Sequence, residues 1–471
     1  MKRIIIPFIA VLFISLNLSA QNSNDKGLER LALLANMDLF FQDGTKEGEV
    51  DLEGISQLEV LVDAGMEITV KGDNSTKLSY KYYFKGNKLA YERYFENFDP
   101  EVKRNGGEAR FEVDFPNINI KNETFRVDEH RLEITLPSEL LLRLRSRYSQ
   151  IEVENIRLGL EVENRSGTVK ARDIFQTVRI YNDYGSIVAM NIQGELFIAN
   201  RSASIDVQEI IGAVQVNANY SKMNISKVDG DLDITNRSGA VNAFDINGSL
   251  TGDGPYVEYE LTNIDGDVRI DNKSGKITLN SARSLRVVGD YTHVNASNIT
   301  SSEGASIEGR SANVDLKNIE GNVMVTGQYL NIDLEKVKGA ASISNRSGKL
   351  YINDLEKDLT FRGEYVPISA RNLRGANLNI DNKSGNMDIE TLAVMENVFI
   401  KSNYGNVELF MKSKFNGQVK IETKYGKLDS DFTITGEQIS EYSNRRIVTG
   451  TVGNGNGTME IITQNANVII K

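Results

Sequence analysis

The chain has 471 residues with 39 Gly, 6 Pro, no Cys and no Trp, and its formal net charge is −11. This composition is typical of a β-rich protein with many turns, and it excludes disulfides and Cys-ligated metal sites. The acidic balance argues against nucleic acid as a partner.

The first twenty residues have the layout of a secretory signal peptide. Lys2 and Arg3 precede an apolar run from Ile4 to Leu18, which Ser19 and Ala20 follow. The run is shorter than the roughly 20 residues of a membrane-spanning helix. We therefore expect residues 1–20 to be removed, leaving an exported chain without a transmembrane segment. Because a Cys for lipid attachment is missing, the sequence predicts a periplasmic, cell-surface or extracellular protein of the bacterial envelope that is not a lipoprotein.

The sequence predicts that residues 21–137 form an irregular, β-rich N-terminal cap together with the first, irregular units of the repeat described below. An aromatic cluster between Tyr80 and Phe98 fits packing in such a cap better than a ligand site. Leu28–Met37 fits a short helix or a strand. The candidate strands are Leu58–Val62, Glu67–Val70, Lys77–Phe84, Arg110–Phe115 and Leu132–Leu136.

Residues 138–471 contain a repeat of about 18 residues, which we call a rung. Tyr and Ser alternate at one position of the rung, numbered zero, until Tyr425. The zero positions are Tyr148, Ser166, Tyr184, Ser202, Tyr220, Ser238, Tyr256, Ser274, Tyr291, Ser311, Tyr329, Ser347, Tyr365, Ser384, Tyr404 and Tyr425.

Apolar residues recur at positions −6, −4, +3, +5 and +8 of each rung. Pairs of apolar residues two apart are the period of a strand with one buried face, so each rung predicts two short strands joined by corners. One rung buries too little apolar surface to fold alone, and stacked rungs supply the rest. The sequence therefore predicts an all-β protein, a single-stranded β-solenoid of about 17 rungs over residues 138–471.

Two other β architectures have the same spacing. An antiparallel meander would be one open sheet of more than about 30 strands, far beyond the usual sheet. An outer-membrane barrel needs strands of about 9–11 residues, roughly twice the length that the rung predicts. Both fit the sequence less well than a solenoid.

The corners have their own pattern. Asn or Gly recurs at −2, as in Asn236 and Gly254, and predicts a left-handed corner residue there. A second Gly at −8, as in Gly230, predicts the other corner. Position −1 is basic in Ser rungs and neutral or acidic in most Tyr rungs, which avoids a continuous ladder of like charges. A last rung from Met459 to Ile470 is predicted to close the stack.

Catalytic and metal-binding motifs are scarce. The chain has only His130 and His293, and no Gly-x-Ser-x-Gly motif, so we expect no enzyme activity, no cofactor and no metal. The pairs Asp229/Asp231 and Asp265/Asp267 fit turns better than calcium sites. A polysaccharide lyase or glycosidase using carboxylates on a β-helix stays open as an alternative, and so does a passive structural module of the envelope.

The Tyr series is the sharpest functional candidate. Position zero has outward parity relative to +3, which predicts an exposed ladder of Tyr rings beside basic residues that could bind glycan or a cell-surface protein. The competing interpretation is that each ring packs over a neighbouring Ser-Gly corner. The candidate binding residues are Tyr184, Tyr220, Tyr256, Tyr291, Tyr329, Tyr365, Tyr404, Arg201, Arg237, Arg310 and Arg346.

Three features carry a family resemblance: the Ser-Gly-x-[Val/Ile] rungs, the segment LEITLPSELLLRLRS (132–146) and the C-terminal TMEIITQNANVIIK (458–471). Over roughly residues 50–471 the chain resembles the bacterial putative-adhesin family of β-strand-repeat proteins, including the auto-transporter adhesin head domain type, a domain of unknown function. The resemblance implies an exported β-solenoid without an established activity, and it supplies no catalytic or ligand residues.

Overall fold

A computed structural model describes residues 41–115 and 126–471 of the chain. The predicted signal peptide and the segment Leu28–Met37 lie outside the described residues. Nearly all of the described regular structure is β, in 37 strands, and a helical turn, α1 (Lys88–Ala90), continues as a π-helical turn over Tyr91–Glu96.

The strands follow one another through the whole described chain. The first eleven are β1 (Phe41–Asp51), β2 (Gln57–Val62), β3 (Glu67–Asp73), β4 (Lys77–Asn87), β5 (Glu101–Asn105), β6 (Glu108–Val113), β7 (Val127–Pro137), β8 (Leu141–Ser146), β9 (Gln150–Ile156), β10 (Leu160–Ser166) and β11 (Val169–Ile174). The next fourteen are β12 (Val178–Tyr184), β13 (Ile187–Ile192), β14 (Leu196–Ser202), β15 (Ser204–Ile211), β16 (Val214–Asp229), β17 (Leu232–Ile246), β18 (Leu250–Asp253), β19 (Tyr256–Asp271), β20 (Ser274–Gly289), β21 (Tyr291–Ile299), β22 (Ala305–Gly309), β23 (Ser311–Ile319), β24 (Val323–Val337) and β25 (Ala341–Leu355). The last twelve are β26 (Leu359–Tyr365), β27 (Ile368–Leu373), β28 (Asn377–Ser384), β29 (Met387–Thr391), β30 (Asn397–Ser402), β31 (Val407–Met411), β32 (Gly417–Lys424), β33 (Leu428–Ser430), β34 (Thr435–Tyr442), β35 (Arg445–Val452), β36 (Gly457–Gln464) and β37 (Val468–Ile470).

Equivalent residues of successive rungs pair in parallel. Leu196 pairs with Val178 below and Val214 above, and Ile205 pairs with Ile187 and Met223 in the same way. We call the ladder through Leu196 sheet A and the ladder through Ile205 sheet B. This parallel register confirms the solenoid, of about 15 turns, and rules out the antiparallel meander for the repeat. Long strands such as β16 and β17 run through a corner and belong to both sheets.

The core lies between the two sheets. Around Ser202, the five predicted inward residues are at most 2% exposed: Leu196, Ile198, Ile205, Val207 and Ile210. The same positions are occupied by buried aliphatic side chains in rung after rung, so the core consists of continuous columns of apolar residues.

The left-handed corner differs from the prediction. It lies at position +7, where Asn155, Asp173 and Asn191 have φ of 60°, 56° and 53°, and not at −2. Asn and Asp tolerate this conformation better than most residues, and they dominate this column, so the sequence did contain the signal. The Asn residues at −2 are buried and have a different task, described below.

The Gly residues at −8 allow close approach between rungs. A Cβ on Gly230 would collide with the carbonyl group of Gly212, and one on Gly248 would collide with that of Gly230. The backbones therefore stack in direct contact at this turn, which only Gly permits.

The N-terminal end of the stack is not in chain order. Strands β2 and β3 lie between β6/β7 on one side and β8/β9 on the other, in parallel pairing on both sides. Antiparallel strands then cover the end, since β1 and β4 extend sheet B beyond β7, and β5 pairs with β6. The five candidate strands of this region coincide with β2, β3, β4, β6 and β7.

The aromatic cluster packs inside this end. The Tyr82 ring stacks on Phe98 with centroids 3.9 Å apart, and the His130 ring lies 5.4 Å from Phe84 and 4.8 Å from Tyr94. Burial lowers the pKa of His130 to about 4, against a weaker opposing contribution from a backbone hydrogen bond at Gly65. The imidazole is therefore neutral near neutral pH.

The C-terminal end has the same kind of insertion. Strands β36 and β37 pair in parallel with β30 and β31 on one side and with β32 and β33 on the other. The last rung of the chain is thus in register, because Val468 pairs with both Val407 and Leu428. The expectation that it closes the stack is wrong, since the Tyr425 rung lies outside it. The hairpin β34–β35 covers β32.

Removal of residues 457–471 should therefore release the rung formed by β32 and β33. Among the described strands β33 pairs only with β37, and β32 would keep only the hairpin strand β35 as a partner. We expect the amides of Lys420 and Glu422, which face β36, to lose protection against hydrogen exchange, while Ile380 keeps it. Deletion of the hairpin, residues 435–452, is the matched control and should leave Lys420 and Glu422 protected, because it removes only the strand on the opposite side of β32. Unchanged protection of both amides in the truncated chain would contradict the inserted order.

The buried His130 should make stability depend on pH. The unfolded chain takes up a proton below about pH 6.5, whereas the folded chain resists protonation until about pH 4. Stability is then lost as the pH falls through this window, by about 2 kcal/mol between pH 7 and pH 4.5. Urea unfolding at both pH values should show that His130→Phe loses about 2 kcal/mol less free energy of unfolding than the parent chain does. The exposed His293→Gln is the control and should behave as the parent chain. Equal pH dependence of the parent and His130→Phe would refute the assignment.

Candidate functional site

The predicted Tyr ladder lies on the surface. The zero positions pair in register, as Tyr220 does with Ser238 and Ser238 with Tyr256, so successive Tyr residues are two rungs or about 9.6 Å apart. Their exposed fractions lie between 42% and 59% for Tyr184, Tyr220, Tyr256, Tyr291, Tyr329, Tyr365 and Tyr404. A large part of each ring therefore reaches solvent, and burial over a Ser-Gly corner is at most partial.

Basic residues of the next rung lie over several of these rings. The Arg201 guanidinium carbon is 5.8 Å from the centroid of Tyr184, and Arg237 is 5.9 Å from Tyr220. Arg201 Nη1 also donates a hydrogen bond of 3.1 Å to the Tyr184 hydroxyl. Arg165 repeats this arrangement on Tyr148, at 5.9 Å and 3.3 Å. The cations and rings form one composite surface along the corner.

The other two predicted Arg residues contact carboxylates. Arg310 lies 3.7 Å from Asp290, and Arg346 lies 3.5 Å from Glu364. Both acids occupy position −1 of an adjacent Tyr rung, so the ladder of charges alternates as the sequence indicates. These are exposed pairs that contribute little stability. The predicted site thus divides into an Arg-over-Tyr part and an Arg–carboxylate part.

The recurring tetrapeptide Asn-Arg/Lys-Ser-Gly holds the backbone of this ladder. Asn345 accepts a hydrogen bond from the Leu330 amide at 3.2 Å and donates one to the Leu330 carbonyl at 2.9 Å. Gly348, at φ 122°, lies so close to Leu330 that a Cβ would collide with its carbonyl oxygen. Asn and Gly thus clasp one residue of the rung below, and that residue directly follows Tyr329.

Four of the five copies of the tetrapeptide make both hydrogen bonds. Asn272 makes the same two hydrogen bonds to Val257, at 3.1 Å and 2.9 Å. In the fifth, Asn382 donates to the Val366 carbonyl at 2.7 Å, while the Val366 amide donates to the carbonyl of Ser384. The clasped residues, each directly after a Tyr at position zero, are Ser149, Ser221, Val257, Leu330 and Val366. Only a primary amide offers both a donor and an acceptor in this geometry, which explains why Asn recurs here.

Sequence reasoning missed an aromatic pair on the outward face of sheet A. Tyr181 and Phe197 lie three and five residues before a zero position, and their ring centroids are 5.6 Å apart. Tyr181 borders an open trough of about 750 Å³ that ends at Arg165 and Arg201, and both rings border a second trough of about 420 Å³. Outward positions vary from rung to rung, so no repeat marks them. Large aromatic residues at polar, outward positions were the available signal.

Acidic residues and His are dispersed over the part of the chain that the structure describes. Residues 41–115 and 126–471 hold no cluster of three or more His, Cys, Asp or Glu residues that could bind a metal. Asp267 accepts hydrogen bonds from Arg283 at 2.9 Å and Ser284 at 2.6 Å, which lower the pKa of its carboxyl group. This Asp-Gly-Asp segment therefore has partners of its own at the turn.

Comparisons with known proteins are consistent with a β-repeat protein. The family model described as Toastrack DUF4097 matches residues 256–471. A solved structure titled "putative cell adhesion protein" from Clostridium sporogenes covers 91% of this chain and 99% of its own, at 9% identity and a TM-score of 0.19. A TM-score this low does not establish a shared fold. No curated protein matches the chain. No described helix is long and apolar enough to cross a membrane.

The clasp predicts which Asn residues stabilise the stack. Asn345→Ala leaves the buried amide and carbonyl of Leu330 without partners, which should lower the free energy of unfolding by about 2–4 kcal/mol. The matched control is Asn331→Ala, because Asn331 is exposed and its side chain donates a hydrogen bond to another exposed side chain, that of Asn313, at 3.0 Å. Its effect should stay within about 0.5 kcal/mol. Chemical denaturation of both variants measures these changes in the free energy of unfolding. Equal losses in the two variants would contradict the role of Asn345 in the clasp.

Proposed function

We propose that this protein is a non-catalytic β-solenoid that binds surfaces, with the Tyr/Arg corner as an extended adhesive strip. The observation that carries the proposal is the regular column of half-exposed Tyr rings, several with a cation of the next rung over the ring. The clasp at the following residue holds the backbone of five of these Tyr residues. Regularly spaced Tyr rings along the solenoid favour a partner that is itself long and repetitive.

Glycan is the partner that this chemistry supports best. Aromatic rings offer an apolar face and a hydroxyl group, and the neighbouring guanidinium groups donate hydrogen bonds to oxygen atoms. Tyr spacing of about 9.6 Å is comparable to a disaccharide repeat, so a polysaccharide could contact successive rings without strain. A cell-surface protein is the second partner class that the strip could take.

Export is part of the proposal. Lys2 and Arg3 followed by the apolar run Ile4–Leu18 support a signal peptide, and surface binding requires a location outside the cytoplasm. We therefore propose a location in the periplasm, at the cell surface or outside the cell.

The proposal is tested by replacing four rings together. Tyr220, Tyr256, Tyr291 and Tyr329 become Ser, the residue that alternate rungs already carry at this position. Migration in native gels containing neutral or acidic polysaccharide should change from retarded to unretarded, with little change in melting temperature. The control variant is Tyr351→Ser, which removes a ring that is 43% exposed but outside the column.

Two outcomes would oppose the proposal. Unchanged retardation with a lowered melting temperature would show that the column serves packing. Turnover of any polysaccharide by the parent chain would favour the enzyme alternative over a non-catalytic binder.

A further inference from the structure

Two open troughs lie side by side on the outward face of sheet A. The first lies over Ala199 and reaches the corner at Arg165, Asp183 and Arg201. The second extends in the opposite direction, past Phe197 to Thr177 and Glu195. Tyr181 lines both, so open space borders its ring on two sides.

The sequence of the rungs creates this opening. Tyr181 pairs in register with Ala199, the smallest side chain in its column, and Asn217 follows on the next rung. Because Ala199 does not fill the space beside it, the Tyr181 ring stands free above the sheet, 38% exposed. Phe197 packs against it at an interplanar angle of 51°. The two rings together form an apolar platform within a polar face.

The polar lining indicates what the platform would bind. Glu161, Glu163 and Asp183 line the first trough together with Arg165 and Arg201. Glu161 and Glu163 also pair with Arg143 at 3.2 Å and Arg145 at 3.3 Å, so the charges around this trough are close to balanced. In the second trough Glu195 and Asp233 outnumber Arg179. The two troughs together thus offer no concentration of positive charge to anionic ligands such as sulfated or uronic acid polymers. Carboxylates, guanidinium groups and the amides of Asn217 and Gln215 suit a ligand rich in hydroxyl groups.

We propose that the two troughs form one binding site for a neutral oligosaccharide, with Tyr181 and Phe197 as its stacking platform. The inference rests on the proposed function in that the ligand is a glycan. It adds a second glycan contact, on the face of sheet A, to the Tyr column, and Arg165 and Arg201 belong to both surfaces. From position −7 to position −1 the troughs extend along the strands for about 20 Å, so the bound sugar chain lies across the solenoid axis.

The test compares three variants with the parent chain in native gels containing hydroxyethylcellulose, galactomannan or xylan. Tyr181→Ser combined with Phe197→Ser removes the platform. Ala199→Arg fills the trough without removing a ring, and Arg145 shows that this column accepts Arg. Tyr351→Ser is the control, since this exposed ring lies on the outward face of sheet B.

We expect the parent and Tyr351→Ser to be retarded by at least one of these polysaccharides. The double variant and Ala199→Arg should bind at least 10-fold more weakly, at unchanged melting temperature. Parent-like binding by both trough variants, with binding lost in the four-Tyr column variant, would overturn this inference and leave the proposed function standing. Parent-like binding in the trough and column variants alike would overturn both site assignments. Absence of retardation of the parent chain by every polysaccharide, neutral or acidic, would overturn the glycan proposal itself.

Discussion

The fold depends on one constraint, the in-register parallel pairing of equivalent residues in successive rungs. This pairing satisfies backbone groups between rungs and places each inward side chain on another of its own column. Equivalent side chains of successive rungs then lie about 4.8 Å apart, so the residue type at each position must be able to stack on its own kind. Aliphatic columns gain from such contact, Gly columns permit it, and charged columns need alternation. The composition of each position follows from this requirement.

A stack of parallel strands has two exposed ends, and this chain closes both in a similar way. A segment near each terminus is inserted between two rungs, β2/β3 at one end and β36/β37 at the other. Antiparallel strands then cover the outermost rungs. The inserted segments are held from both sides, so both are fixed by pairing that a loose terminal strand would lack. The outermost strand, β34, has Glu437 and Glu441 on its exposed edge, which discourages further pairing.

Function falls on the positions that stacking leaves free. Outward residues of both sheets and the corner at position zero can vary without affecting the core. The Tyr column uses the corner in a regular way, and the Asn-x-Ser-Gly clasp holds the backbone beside it. The Tyr181–Phe197 platform is a local feature of two rungs. A long rigid scaffold can thus carry a repetitive strip and a separate, shaped site.

The sequence by itself determined the rung length, the inward columns, the outward Tyr column and the charge alternation at −1, because a period-18 repeat records which residues must resemble their neighbours. The tertiary structure decided what the repeat does not record. Asn at −2 tolerates a left-handed backbone but is used as a two-way hydrogen-bonding side chain, while Asn and Asp at +7 make the left-handed turn. The order of the end rungs and the trough over Ala199 depend on contacts between residues that are distant in the chain or belong to different rungs, and local pattern does not specify these.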